Sequence, residues 1–127
     1  MTYLGPSSSL SSSSFFSCAA SVGGGMYHDS YTDSGSLAIS DSLFEDCHAS
    51  YTPNRGGGAI EDYKSHTYNS QYSYSFFTQN SATGVGYDIS VIGSPLRESS
   101  LIHCFTTTAK NFFWNTNYAG YEDWLSL

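Results

Sequence analysis

The sequence predicts an all-β fold in which the chain winds as a parallel solenoid, and three observations predict it. A nine-residue phrase occurs at Ser13–Ser21, Ser42–Ser50, Ser75–Thr83 and Ser99–Thr107. Each copy reads Ser, any residue, Phe or Leu, two residues, Cys or Asn, any residue, Ala or Thr, then Ser or Thr. The starts are 29, 33 and 24 residues apart, and uneven periods of this size mark stacked turns that carry loops of different length. A glycine landmark follows each of the first three phrases. Composition agrees, since 11 Tyr, 8 Phe and 12 Gly in 127 residues, with 12% charged side chains, favour strands and leave few strong helix formers.

Taken in order, each phrase should open with a strand: Ser13–Phe15, Ser42–Phe44, Ser75–Phe77 and Ser99–Leu101. Ser and Phe or Leu stand two apart, so on a strand both point to one face, and Phe15, Phe44, Phe77 and Leu101 form one buried column. The three-residue step from Phe to Cys cannot keep one face of a straight strand, so a bend must lie between them. Cys18, Cys47, Asn80 and Cys104 then share a second column. The glycine landmarks come next, at Gly24-Gly25-Met26-Tyr27, Gly57-Gly58-Ala59-Ile60 and Gly86-Tyr87-Asp88-Ile89, weakening to Gly120-Tyr121-Glu122-Asp123-Trp124. Glycine suits a sharp turn because it enters positive φ freely. Nine residues separate Cys47 from Gly57, and five separate Asn80 from Gly86, so one corner tolerates loops of different length.

These motifs resemble the repeats of polymorphic-membrane-protein-type surface proteins, in which F-x-x-N followed by G-G-A-I recurs along a right-handed parallel β-helix. Phe44 to Cys47 with Gly57-Gly58-Ala59-Ile60, and Phe77 to Asn80 with Gly86-Tyr87-Asp88-Ile89, carry the likeness best, over roughly residues 10 to 127. Cysteine replaces asparagine in three of four copies and the full G-G-A-I occurs once, the pattern of a distant relative. The resemblance implies a right-handed parallel β-helix of about four to five coils. It also implies a non-catalytic, structural or adhesive module, extracellular or at the cell surface.

By length the chain is a single domain, residues 1–127, with coil landmarks near 13–27, 42–60, 75–89 and 99–124. Residues 1 to 14 show neither a basic n-region nor an apolar h-region, and no run of 18 apolar residues occurs. A surface protein without these signals is expected to be a processed segment or a piece of a longer chain. Leu10 to Phe15 is read as the strand of a first coil. Neither end shows a charged cap, so three outcomes stand open: head-to-tail stacking into a filament, continuation in a longer parent, or an aromatic cap folded over the core.

The chemistry-bearing residues argue mostly by exclusion. A net charge of −7, with Arg55, Lys64, Arg97 and Lys110 scattered, repels phosphate backbones, so no nucleic-acid partner is expected. The cysteines share a repeat position and make no C-x-x-C pair, which reads as an interior column, not a metal site. Neighbouring repeats do bring Cys18 and Cys47 within disulfide range. Asp29, Glu61, Asp62 and Asp88 lie within or just after the glycine landmarks and could align along one edge, although no D-x-[DN]-x-[DN]-G loop supports calcium. Asp41, Glu45 and Asp46 are the densest acids and read as solvated residues at a corner. His28, His48, His66 and His103 lie in no H-E-x-x-H or G-x-S-x-G context, and Thr106-Thr107-Thr108 is a single rank, too little for an ice-binding plane. No catalytic, cofactor-binding or metal residue is assigned, no cofactor is expected, and no membrane span. The partner is then a second copy docking head to tail, or a cell-surface or matrix component, with a glycan as a further candidate. The competing reading is a carbohydrate-active or glycan-binding β-helix that uses the Tyr-rich stretch Tyr63 to Tyr74 as a stacking platform.

Overall fold

The computed structural model describes residues 2–4, 8–30, 37–51, 56–64, 70–84, 86–92, 101–106, 112–115 and 122–125. Among them every regular element is a strand. The chain opens with β1 (Thr2–Leu4), β2 (Ser8–Ser11), β3 (Ser14–Phe16), β4 (Ala19–Ala20) and β5 (Met26–Ser30). A second set follows as β6 (Leu37–Ser40), β7 (Leu43–Glu45), β8 (His48–Ala49) and β9 (Ile60–Lys64), and a third as β10 (Gln71–Ser73), β11 (Phe76–Thr78), β12 (Ser81–Ala82) and β13 (Ile89–Ile92). The last are β14 (Leu101–Ile102), β15 (Phe105–Thr106), β16 (Phe112–Asn115) and β17 (Glu122–Leu125).

The second and third sets each contribute one strand to each of four sheets, and the first and last sets extend these sheets at their ends. Sheet A runs β1-β5-β9-β13-β16-β17, sheet B β14-β10-β6-β2, sheet C β15-β11-β7-β3 and sheet D β12-β8-β4. All pairings are parallel except β16 with β17, which is antiparallel. The fold is therefore all-β with parallel strands in register from repeat to repeat, an arrangement compatible with a solenoid.

The corners between sheets rest on single residues in the left-handed region. Ser12, Asp41, Tyr74 and His103, with φ of 50°, 49°, 49° and 51°, divide sheet B from sheet C. Ser17, Asp46 and Gln79, at 48°, 54° and 56°, divide sheet C from sheet D. The second set is the bend expected between Phe and Cys. A third turn leads into sheet A at Gly23, Gly57 and Gly86, with φ of 54°, 64° and 67°. Glycine is needed there on two counts: a Cβ on Gly57 would sit 2.0 Å from the carbonyl oxygen of Ile60, and the left-handed backbone strains any L side chain.

Inward-facing positions stack in columns. Phe15, Phe44 and Phe77 pair in register, with ring centroids 4.7 and 5.3 Å apart and planes within 1° and 7° of parallel. Phe44 and Phe77 are fully buried, whereas Phe15, in the terminal strand of sheet C, is half-buried. Met26, Ile60 and Ile89 form the matching column of sheet A. The expected serine column also exists: Ser13, Ser42 and Ser75 each donate to the carbonyl two residues back, at 3.0, 2.8 and 2.9 Å. The amides of Ser13 and Ser42 donate in turn to the hydroxyl of the next repeat, both at 3.3 Å.

Five sequence expectations are corrected by the backbone. Leu101 does not continue the phenylalanine column: it pairs with Tyr72, in line with Ile39 and Leu10, and Thr106 stands opposite Phe77. Cys104 consequently follows Ser75, one residue before the Phe76–Phe105 pair, and lies outside the Cys18–Cys47–Asn80 column. The fourth phrase was aligned five residues too early, which is one sheet's worth of chain between successive corners. The first glycine landmark begins at Gly23, not Gly24, because Gly23 holds the positive φ and Met26 pairs with Ile60. In the fourth repeat Phe112 takes the place opposite Ile89, while Glu122 to Leu125 returns antiparallel and does not form a further parallel turn. Leu10 to Phe15 spans a corner between β2 and β3 and is not one strand.

The column fixes a stability expectation. Phe44→Ala should destabilise the fold by about 3–5 kcal/mol, the usual cost of truncating a fully buried aromatic, measured by urea unfolding. A loss well under 1 kcal/mol would mean that the stacked column does not hold the repeats together.

Candidate functional site

The densest polar chemistry lies inside the fold. On β9, Asp62 is two residues from Ile60 and so shares its inward face, where it meets His28 of β5 directly across the sheet. Asp62 Oδ1 accepts from His28 Nδ1 at 2.7 Å, and Oδ2 accepts from Ser70 Oγ at 2.7 Å and Tyr72 Oη at 2.9 Å. An ionised carboxylate only accepts, so the bond places the hydrogen of His28 on Nδ1. His28, Asp62 and Tyr72 are fully buried and Ser70 nearly so. Burial first, then the adjacent Asp62 charge, pushes the Tyr72 hydroxyl well above its ordinary value. His28 Nε2 is buried without a hydrogen-bond partner among the described residues.

A serine nucleophile needs its hydroxyl on the imidazole; here Ser70 gives its hydrogen to Asp62, and His28 Nε2 meets no hydroxyl among the described residues. What the arrangement does is satisfy one buried carboxylate with three donors drawn from two sheets and the segment between them.

A second interior cluster forms at the corner before sheet A. Asn80 Oδ1 accepts from the Cys47 amide at 2.9 Å, and Asn80 Nδ2 donates to the Phe44 carbonyl at 3.1 Å and to Asp88 Oδ1 at 2.9 Å. Asn80 therefore ties the bend together, as expected of a buried amide. Asp88 Oδ2 accepts from Thr106 Oγ1. Burial raises the Asp88 carboxyl from 3.8 to about 6, with the Thr106 and Asn80 hydrogen bonds acting in the opposite direction.

The outer face of sheet C carries the main exposed apolar surface. Alternation turns Phe15 and Phe77 inward and their neighbours Phe16 and Phe76 outward. Phe16 is 57% exposed, Phe76 42% and Phe105 66%. Ser14, Leu43, Phe76 and Phe105 share one outer column, with the last two rings 6.3 Å apart. At the adjoining corner Tyr74, 61% exposed, stacks on His103 at 5.1 Å. Glu45 faces outward beside Phe16, and Asp41 and Asp46 occupy the flanking corners.

The remaining sequence candidates disperse. Asp29 pairs with Tyr63, Glu61 with Tyr27 and Ser90, Asp62 with His28 and Val91, and the Asp88 carbonyl accepts from Ala59 and Ile60, so these four acids form no common edge. Asp46 is exposed and accepts from Ser17 Oγ at 2.9 Å, and Asp41 is an exposed corner, the solvated role expected of them. His48 bonds Ser81 Oγ at 2.8 Å on sheet D, far in register from His103. Of the Tyr63 to Tyr74 platform, Tyr72 is in the core, Tyr63 half-buried and Tyr74 exposed, while Tyr68 lies outside the described residues. Cys18, Cys47 and Cys104 are free thiols, with Cys104 buried as expected. Arg55, His66, Arg97, Lys110, Thr107 and Thr108 lie outside the described residues. Among those described, no group of three His, Cys, Asp or Glu could hold a metal ion, and no helix is long and apolar enough to cross a membrane.

The Asp62 cluster and the outward phenylalanines were not singled out from sequence. The signal for the second was present: in Phe15-Phe16 and Phe76-Phe77, period-two alternation forces one ring of each pair out. Comparison with protein-family models, with curated proteins and with solved structures returns no match.

Two outcomes follow for the interior clusters. Asp62→Ala strands three buried donors and should cost about 3–5 kcal/mol, against about 1 kcal/mol for Tyr72→Phe, which removes a single bond; chemical denaturation of both variants checks the ratio. For Asp88 the folded state holds its proton more tightly than the unfolded chain. Its contribution is therefore most favourable below about pH 4 and is lost as pH rises through about 6, by up to about 3 kcal/mol. Asp88→Asn should flatten that part of the stability profile, and an unchanged difference between the two proteins from pH 4 to 7 would contradict it.

Proposed function

We propose that this chain is a non-catalytic structural and adhesive module, a right-handed parallel β-helix of four to five coils, acting extracellularly or at a cell surface. The resemblance to polymorphic-membrane-protein-type repeats supports the handedness and the setting. The observation that carries the reading is the first repeat. β2, β3 and β4 are the terminal strands of sheets B, C and D, and their inward residues Leu10 and Phe15 are only partly buried, although their column neighbours Ile39 and Phe44 are sealed. Such an end presents backbone donors and acceptors together with an open core column, which a strand from another chain can extend. Head-to-tail contacts do not close on themselves, so the product is a filament.

The opposite end is built differently, because β17 pairs antiparallel with β16 and sets the edge of sheet A. Sheets B and C, ending at β14 and β15, are the matching surfaces for the first repeat of the next copy. The Trp124 side chain and Leu127, which the sequence places near this end, lie outside the described residues.

Adhesion to a different partner would use the outer face of sheet C, where Phe16, Phe76 and Phe105 stand among Glu45, Asp41 and Asp46. Tyr74 and His103 stack on each other at the adjoining corner, and with the phenylalanines they make an aromatic surface for such a partner.

Sedimentation and negative-stain microscopy over a concentration series test the assembly. Wild type should lengthen into filaments, more readily at high salt that screens the −7 charge on each copy. Ser9→Pro removes an edge amide on an exposed position of β2 and should stop growth, whereas Phe76→Ser with Phe105→Ser should not. A monomer at high concentration and high salt overturns the end-to-end reading.

A further inference from the structure

Cys18 and Cys47 occupy equivalent places on consecutive repeats. Phe16 pairs with Glu45 and Ala19 with His48, and the His48 amide donates to the Cys18 carbonyl at 2.7 Å, so the two cysteines stand opposite each other. Parallel neighbours are about 4.8 Å apart, within the roughly 4.4–6.8 Å between Cα atoms that a disulfide spans. Both side chains leave the corner in the same direction. Cys18 Sγ lies 3.4 Å from the Phe16 carbonyl and Cys47 Sγ 3.6 Å from that of Glu45, the same contact two residues back in each repeat. Cys47 Sγ also approaches the Phe15 carbonyl at 3.7 Å, leaning toward the first repeat.

We propose that Cys18 and Cys47 are a cross-linking site, joined by exchange with a small-molecule disulfide into a covalent staple between the first two repeats. Cys18 is half-buried and Cys47 sealed, which orders the reaction. The Cys18 thiol loses its proton to solvent and the thiolate attacks one sulfur of the reagent. That S–S bond breaks, and one small thiol leaves after taking up a proton. Cys47 then loses its proton and attacks Cys18 Sγ, breaking the mixed disulfide and releasing the second small thiol. Two protein thiols are oxidised and one small disulfide is reduced to two thiols. Burial pushes the Cys47 thiol up to about 11, so its thiolate is scarce and Cys18 leads the first step; in the second, the place of Cys47 beside Cys18 offsets that scarcity.

The column allows this bridge and no other. In the third repeat the position is Asn80, and Cys104 follows Ser75 in the serine column, donating to the Tyr72 carbonyl at 3.3 Å. The staple closes a loop that includes the corner at Ser21 to Gly24 and strand β5, and it fastens the repeat whose outer edge is open. A cross-link of this span restricts the unfolded chain. Assembly and cross-linking are independent, so the staple stands whether or not filaments form.

The test is incubation of the reduced, folded chain with oxidised glutathione, followed by acid quench, denaturation, alkylation with iodoacetamide and intact mass. The expected product carries one alkyl group, on Cys104, with a peptide linking Cys18 to Cys47. It should also unfold at a higher urea concentration than the reduced chain. Cys47→Ser should stop at a glutathione adduct on Cys18 without that gain, and Cys104→Ser should bridge as wild type does. Three alkylated cysteines, a lasting adduct on Cys18 of wild type, or loss of the bridge in Cys104→Ser would each overturn the proposal.

Discussion

Everything else in this structure depends on corners that repeat at the same place in every turn of the chain. Among the described residues seven non-glycine positions take positive φ, five apart within a repeat: Ser12 and Ser17, Asp41 and Asp46, Tyr74 and Gln79, with His103 opening the fourth set. A left-handed conformation costs an L residue about 1–2 kcal/mol, so each corner must be held by something beyond its own backbone. The serine ladder does this on one side, through hydroxyls that serve both the carbonyl two residues back and the amide of the repeat before. Ser17 to Asp46 and the Tyr74–His103 stack tie corner to corner between neighbours. Because each corner leans on the next, a single repeat could not keep its shape alone.

The same spacing explains what the sequence revealed and what it hid. The phenylalanine column was legible for three repeats, and so was the bend after it, because Phe15, Phe44 and Phe77 are identical residues in identical contexts. The fourth repeat was misread because successive sheets are five residues apart and each segment carries an apolar residue, a turn and a small residue. The phrase Ser99-Ser100-Leu101 therefore imitates Ser75-Phe76-Phe77, while Leu101 pairs with Tyr72 in sheet B. Side-chain type alone cannot tell one sheet from the next; the corner at His103 can. Likewise three consecutive glycines, Gly23 to Gly25, give no identity by which to choose the turn, and only φ distinguishes Gly23.

Less of the candidate site than of the fold could be read in advance. Asp62 was seen as an acid near a landmark, but its partners come from 8, 10 and 34 residues away and from two different sheets. No local pattern announces such a meeting. Once formed, it constrains pairing sharply. A one-residue slip of β9 against β5 would turn Asp62 outward and leave His28, Ser70 and Tyr72 buried without an acceptor. Apolar columns tolerate exchange of one large residue for another, so the polar set adds a register constraint that Met26, Ile60 and Ile89 alone cannot supply.

Surface and interior are linked through the same alternation. A corner every five residues leaves only short strands, and in sheet C each offers a core ring flanked by outward positions. Filling an outward position with Phe, as at Phe16, Phe76 and Phe105, adds nothing to the interior column, which Phe15, Phe44 and Phe77 form on the opposite face. An aromatic side chain left at the surface loses the hydrophobic stabilisation it would gain by burial. Several of them on one face, with Phe76 and Phe105 on adjacent strands, make a surface that gains by being covered. The outward phenylalanines of sheet C are thus a consequence of this construction: short in-register strands whose alternation sends one ring of each Phe-Phe pair into the core and the other to the outer face.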